Sequence, residues 1–139
     1  MDIDHVCIAV RNIDKTGEHL SRFLGYSAKT RKVTNTRQKV VVQFYQKPGS
    51  IDIKLIEPSS KDSPLIPFLK KGEGLHHLGM KVDKVDKALN ELSDLGAIIN
   101  TQPEPGEAFD DEQIAFTYLG GGLNIEIFDT DKRRDLLTS

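Results

Sequence analysis

The sequence predicts an α+β fold: two βαβββ modules related by a pseudo-twofold, forming one cupped mixed sheet with helices on the outside. Three observations carry that expectation. The stretch from His5 and the stretch from His77 read alike, at an offset of 77 − 5 = 72 residues. Each opens with period-2 alternation of apolar residues and continues with apolar residues at helical spacing. Glycine and proline then punctuate the β-rich pieces that follow.

Under that shift His5-Val6-Cys7-Ile8-Ala9-Val10 lies on His77-Leu78-Gly79-Met80-Lys81-Val82, and Ile13-Asp14-Lys15 lies on Val85-Asp86-Lys87. Further along, Val42-Gln43-Phe44 lies on Ile114-Ala115-Phe116, and Lys54-Leu55-Ile56-Glu57 on Glu126-Ile127-Phe128-Asp129. The first strand puts Val6, Ile8 and Val10 on one face and His5, Cys7 and Ala9 on the other. A helix follows over about 14–24, with Leu20, Phe23 and Leu24 as its apolar stripe and Gly25 as its stop. A weak strand near 27–33 and strands at 40–45 and 51–56 complete the half, with Pro48-Gly49 turning the last pair. The second half repeats the order: Val85, Leu89 and Leu92 at helical spacing, Gly96 as the stop, a weak strand near 98–101, then 114–118 and 123–128 around Gly120-Gly121-Gly122. One domain over 1–139 is expected, with modules at about 3–58 and 75–130. The linker 59–74 has room for a short helix over 63–70.

Composition narrows the function. At 139 residues with 37% hydrophobic and 29% charged side chains, the chain is long enough for one packed core and too polar for a membrane span. The N-terminus lacks the basic-then-apolar pattern of a signal peptide, so the expected location is cytoplasmic and no membrane partner is expected. The single Cys7 forms no internal bridge and is read as a small buried hydrophobe. A net charge of −2 with interspersed signs, 6% aromatic residues and no Trp gives no footprint for nucleic acid.

Alternation also places chemistry. If Leu123, Ile125 and Ile127 face the core, then Asn124, Glu126 and Phe128 face the cup, and the same rule puts Asp52 and Lys54 there. His5, Lys54, His77 and Glu126 are therefore expected to converge near the pseudo-axis. Two imidazoles and a carboxylate at one spot suit a divalent cation with open coordination positions. His76 is expected to point to the opposite face. The charged end, 131–139, is expected to be frayed or lightly docked.

The chain resembles the vicinal-oxygen-chelate superfamily, which includes glyoxalase I, methylmalonyl-CoA epimerase, fosfomycin-resistance proteins and extradiol dioxygenases. Within it, Ile3-Asp4-His5-Val6, Leu55-Ile56-Glu57-Pro58, Asp62-Ser63-Pro64-Leu65 and Gly72-Glu73-Gly74-Leu75-His76-His77 look most like methylmalonyl-CoA epimerases. The resemblance implies His5, His77 and Glu126 as ligands of a divalent metal (Co, Ni, Zn or Fe), with Glu126 serving also as base. It implies a metal-dependent isomerase or lyase, epimerase-like or glyoxalase-like, that moves a proton beside a carbonyl through a metal-stabilised enediolate. The substrate would be a small molecule such as an acyl-CoA or thiol adduct, the enzyme a homodimer, with Phe44, Phe116, Phe128 and Asn124 around the substrate.

Two positions depart from that pattern. Lys54 stands where the epimerases and glyoxalases carry a Gln or Glu ligand, and an ammonium ~4 Å from the cation would be repelled by several kcal/mol at an effective dielectric of about 20. Asp52 is placed to hold it aside. The strand Val40-Val41-Val42-Gln43-Phe44 carries no second carboxylate. Lys54 is thus a candidate catalytic residue in its own right. Two alternatives stay open: a three-ligand dioxygenase or fosfomycin-resistance-type enzyme, and a metal-free binding protein of bleomycin-resistance type in which Lys54 pairs with Glu126.

Overall fold

The computed structural model describes residues 1–137. Its strands are β1 (Asp2–Ala9), β2 (Ser27–Ala28), β3 (Val33–Asn35), β4 (Val40–Gln46), β5 (Asp52–Pro58), β6 (Gly74–Lys81), β7 (Ile98–Ile99), β8 (Glu104–Gly106), β9 (Glu112–Tyr118) and β10 (Asn124–Phe128). The helices are α1 (Ile13–Leu24), α2 (Leu65–Lys70) and α3 (Val85–Asp94). All ten strands join one sheet ordered β2-β4-β5-β1-β6-β10-β9-β7, with β3 on β4 and β8 on β9. The centre is the antiparallel pair β1/β6. Each of these strands has a parallel neighbour, β5 or β10, and then an antiparallel one, β4 or β9. That mirror order is the expected pseudo-twofold.

The helices form where local chemistry and an apolar stripe agree. The Asn12 side chain accepts from the Lys15 amide at 3.0 Å to cap α1, and Gly25 ends it at φ 75°, a left-handed conformation that glycine adopts without a Cβ penalty. Ile13 and Leu20 of α1 pack with Tyr26, Tyr45 and Leu55, while Val85, Ala88 and Leu89 of α3 pack with Ala115, Ile125 and Ile127. A third cluster fills the opposite face of the sheet. It joins Cys7, Phe44 and Phe128 to Leu65 and Leu69 of α2 and to Phe109 of a 3-10 turn, Glu107–Phe109.

Two features add to the expectations. The segment after β10 is docked across both modules: Arg134 N–H donates to Ala108 O at 3.0 Å, Arg31 N–H to Asp135 O at 2.9 Å and Leu137 N–H to Lys29 O at 2.9 Å. Of the two expectations for this end, frayed or lightly docked, docking describes 131–137, and residues 138–139 lie outside the described residues. The β1/β6 ladder also carries two bulges. Ile3 pairs with Met80 and His5 with Gly79, so Asp4 is the extra residue; Cys7 pairs with His77 and Ile8 with Leu75, so His76 is the extra residue. Asp4 and His76 are 72 residues apart, so the irregularity obeys the repeat.

Candidate metal and substrate site

β1, β6, β5 and β10 deliver His5, His77, Lys54 and Glu126 to one buried spot, with His5 and Glu126 0% exposed, Lys54 2% and His77 3%. Glu126 is the hub. Its Oε1 lies 3.2 Å from His5 Nε2 and 3.4 Å from His77 Nε2, and Lys54 Nζ donates to Oε1 and Oε2 at 3.1 Å each. Burial alone would raise the Glu126 carboxyl, but the Lys54 ammonium against both its oxygens and the His5 hydrogen bond outweigh it and hold the group well below the carboxylate range.

The expectation that Asp52 restrains Lys54 is not met, because Asp52 is taken by Lys29 at 2.6 Å. Lys54 instead leans on Glu126 and sits near the Phe109 and Phe44 rings, 5.3 and 5.8 Å from their centroids.

The spacing fits a cation. Two ligand atoms ~2.1 Å from an ion and subtending 90–110° are roughly 3.0–3.4 Å apart, the separations found from Glu126 to each imidazole. His77 Nε2 is buried without any hydrogen-bond partner among the described residues, so it has no structural use for its lone pair. Each of the two histidines is oriented through its other nitrogen by its bulged neighbour: His5 Nδ1 is 2.8 Å from Asp4 Oδ2, and His77 Nδ1 is 2.8 Å from His76 Nδ1. Burial pushes His77 down to about 3, which leaves it neutral and able to ligate at neutral pH. The residues present therefore fit a two-histidine, one-carboxylate cation site, with Lys54 as a charge that opposes it.

His76 is the clearest correction. The bulge turns it to the same side as His77, against the alternation rule, where the two rings meet at 5.1 Å and 74°. It lines a cavity of about 390 Å³ together with Lys54, His77, Phe116, Thr101 and Glu104, with Arg37 and Gln38 also on its walls. Of the expected substrate neighbours, Phe116 lines this cavity. Phe44 and Phe128 are fully buried behind the site, and Asn124 lies at the start of β10 away from the cavity wall. Glu104, which the sequence did not single out, is half-buried there and has no ion-pair or hydrogen-bond partner among the described side chains.

The backbone is fitted to these rings as well. A Cβ built on Gly79 would lie 2.1 Å from His5 Cε1, so the ligand imidazole occupies the space that any other residue at 79 would fill. Gly79→Ala is expected to displace His5 and cost about 1–3 kcal/mol of overpacking strain. The check is a denaturant titration beside a Co²⁺ titration, and normal metal affinity would show that His5 does not need its observed place.

A pH effect follows from His77 in the metal-free protein. Its folded value of about 3 lies below the ordinary 6.5, so between these the unfolded chain binds more protons and stability rises with pH. That contribution is complete above about 6.5 and fades as pH falls toward 3; Glu126, also lowered, acts in the same direction below its ordinary 4.5. Urea midpoints across this range should drop on acidification, and His77→Gln should flatten the dependence.

With the geometry in place, comparison with known proteins decides the family. The model of the Glyoxalase/Bleomycin resistance protein/Dioxygenase superfamily matches residues 4–116. The chain belongs to this superfamily. It is 41% identical over 93 residues to the YqjC protein of Bacillus subtilis (strain 168), an overlap of 66% of this chain and 65% of that relative, so the match spans just under two thirds of the relative's length. Among solved structures, the methylmalonyl-CoA epimerase from Mycobacterium tuberculosis has a TM-score of 0.81 at 28% identity, covering 91% of this chain and 86% of that one. A methylmalonyl-CoA epimerase in complex with methylmalonyl-CoA and NH4+ has a TM-score of 0.81 at 25% identity, covering 93% and 94%. The glyoxalase-superfamily domain thus has epimerases among its structural relatives, and the paired-module sheet is the shared scaffold.

Proposed function

We propose that this protein is an isomerase that moves a proton at the carbon beside the carbonyl of an acyl thioester, using one divalent cation held by His5, His77 and Glu126. The observation that carries the reading is the 3.2 and 3.4 Å spacing of the two imidazoles about one carboxylate oxygen, beside a cavity of about 390 Å³. The structural likeness to an epimerase bound to methylmalonyl-CoA supports the substrate class. When bound, the cation would supply electrophilic stabilisation of negative charge on the substrate oxygens.

The chain's own groups divide the remaining work. Lys54, paired with Glu126 and lining the cavity, donates from Nζ to a substrate oxygen that gains charge as the neighbouring C–H bond breaks. Phe116, Val40 and Ile56 give the acyl part an apolar wall. Glu104, on the cavity wall, is the carboxylate open to the substrate's α-carbon, whereas Glu126 is fully buried and serves the cation site. Glu104 takes the role of the second proton carrier that β4 does not supply. Arg37, at the cavity, suits the anionic groups of a coenzyme A portion.

The test is deuterium wash-in at the α-carbon of a small panel of acyl-CoA thioesters in D2O, followed by mass spectrometry. Exchange with at least one member is expected, and Glu104→Gln should slow it about 10²–10⁴-fold without weakening cation binding. No exchange with any member would remove the reading. Exchange unaffected by Glu104→Gln would remove Glu104 from it.

A further inference from the structure

We infer that Arg133 and Asp4 are positioning residues that hold His5 in its ligand orientation, so that the cation site of the first module is completed by the segment following β10. This rests on the reading of His5, His77 and Glu126 as a cation site. A carboxylate only accepts, so Nδ1–H donates to Asp4 Oδ2 at 2.8 Å, and this contact fixes the ring with Nε2 toward Glu126 Oε1 at 3.2 Å, the edge a cation would take. Arg133 Nη2 donates to that same Asp4 oxygen at 2.9 Å.

Arg133 is itself tightly placed. Its side chain is 2% exposed, Nη1 donates to Lys132 O at 2.8 Å, and the guanidinium carbon lies 4.5, 4.9 and 5.2 Å from the centroids of Phe109, Phe44 and Phe128. His5 uses the same three rings: it stacks on Phe128 at 5.6 Å and 20°, meets Phe44 edge-on at 5.2 Å and lies 6.3 Å from Phe109. The imidazole and the guanidinium therefore share one aromatic box and one carboxylate oxygen, and neither can shift without the other. His77, the repeat partner of His5, has its outer nitrogen held by His76, which comes from its own module. Among the described residues, His5 is thus held through Asp4 by a segment beyond β10, whereas His77 is held by its neighbour in sequence.

The experiment compares wild type, Asp4→Ala, Arg133→Met and Arg133→Lys in the full chain. Two quantities are read: Co²⁺ affinity by chelator competition, and the ring-nitrogen NMR shifts of His5 without metal. Asp4→Ala and Arg133→Met should weaken Co²⁺ binding about 10–100-fold, with Arg133→Lys recovering most of the loss. The His5 Nδ1 shift should carry the signature of a hydrogen bond to a carboxylate in wild type and lose it in Asp4→Ala. If Arg133→Met fails to fold, Asp4→Ala and Arg133→Lys decide. Affinities within twofold of wild type together with unchanged His5 shifts overturn the inference. If wild type itself binds no Co²⁺, the cation reading falls, and the His5 shifts alone then decide: a change in Asp4→Ala supports the positioning role, and identical shifts overturn it.

Discussion

Replacing Glu126 with glutamine is expected to remove divalent-cation binding and to lower stability by about 3–5 kcal/mol, the usual cost of stripping one partner from a buried ion pair. The carboxylate is fully buried and its two oxygens are shared by Lys54, His5 and His77, so an amide leaves the Lys54 ammonium 2% exposed with no counter-charge in contact. For a chain of this size the loss corresponds to a fall in Tm on the order of 10 °C. The double variant Lys54→Gln/Glu126→Gln separates the two effects. It should regain much of the stability, since both charges are gone, while cation binding stays absent. A Glu126→Gln protein as stable as wild type would mean that the pair is not buried as described.

Lys54→Gln is expected to have the opposite effect on the cation, raising Co²⁺ affinity at least tenfold. The ammonium lies 3.1 Å from both oxygens of the carboxylate that would bind the ion, and a unit charge ~4 Å from another is worth about 4 kcal/mol at an effective dielectric of 20. Without metal, Lys54→Gln should be less stable than wild type, because Glu126 loses its nearest positive charge. With saturating Co²⁺ the gap should narrow by at least about 1.4 kcal/mol, the tenfold gain in affinity expressed as free energy. Acyl-CoA exchange should fall in the same variant, because the donor facing the cavity is lost. Calorimetric melts with and without Co²⁺ check the first two outcomes. An unchanged affinity would place Lys54 outside the field of the ion.

What was legible in the sequence follows from what period-2 and period-3.6 patterns encode. A duplicated pattern shows both the modules and their register, so His5, His77, Lys54 and Glu126 could be brought together from strand alternation alone. Bulges break that alternation without leaving a local signature. His76 therefore reads as facing away, although it lies beside His77, and Asp4 reads as an ordinary strand residue, although it orients His5. Phe128 is expected on the cup face and Phe44 around the substrate, but both are buried behind the site, covered by groups from irregular chain, Phe109 on a 3-10 turn and Arg133 beyond the last strand. Neither segment has a periodicity to read. Glu104 was hidden for the same reason, since β8 is three residues long and sits off the main strand order. The resemblance to epimerases points to the missing Gln or Glu ligand and the missing first-module carboxylate, and Lys54 and Glu104 both line the cavity.

The most direct measurement is a Co²⁺ titration of chelator-stripped protein followed by visible absorption, run in parallel on His77→Ala. One ion per chain with a nitrogen- and oxygen-ligated spectrum, absent from His77→Ala, is the expected result. No saturable binding, or binding that survives loss of His77, would contradict a cation shared between the two modules.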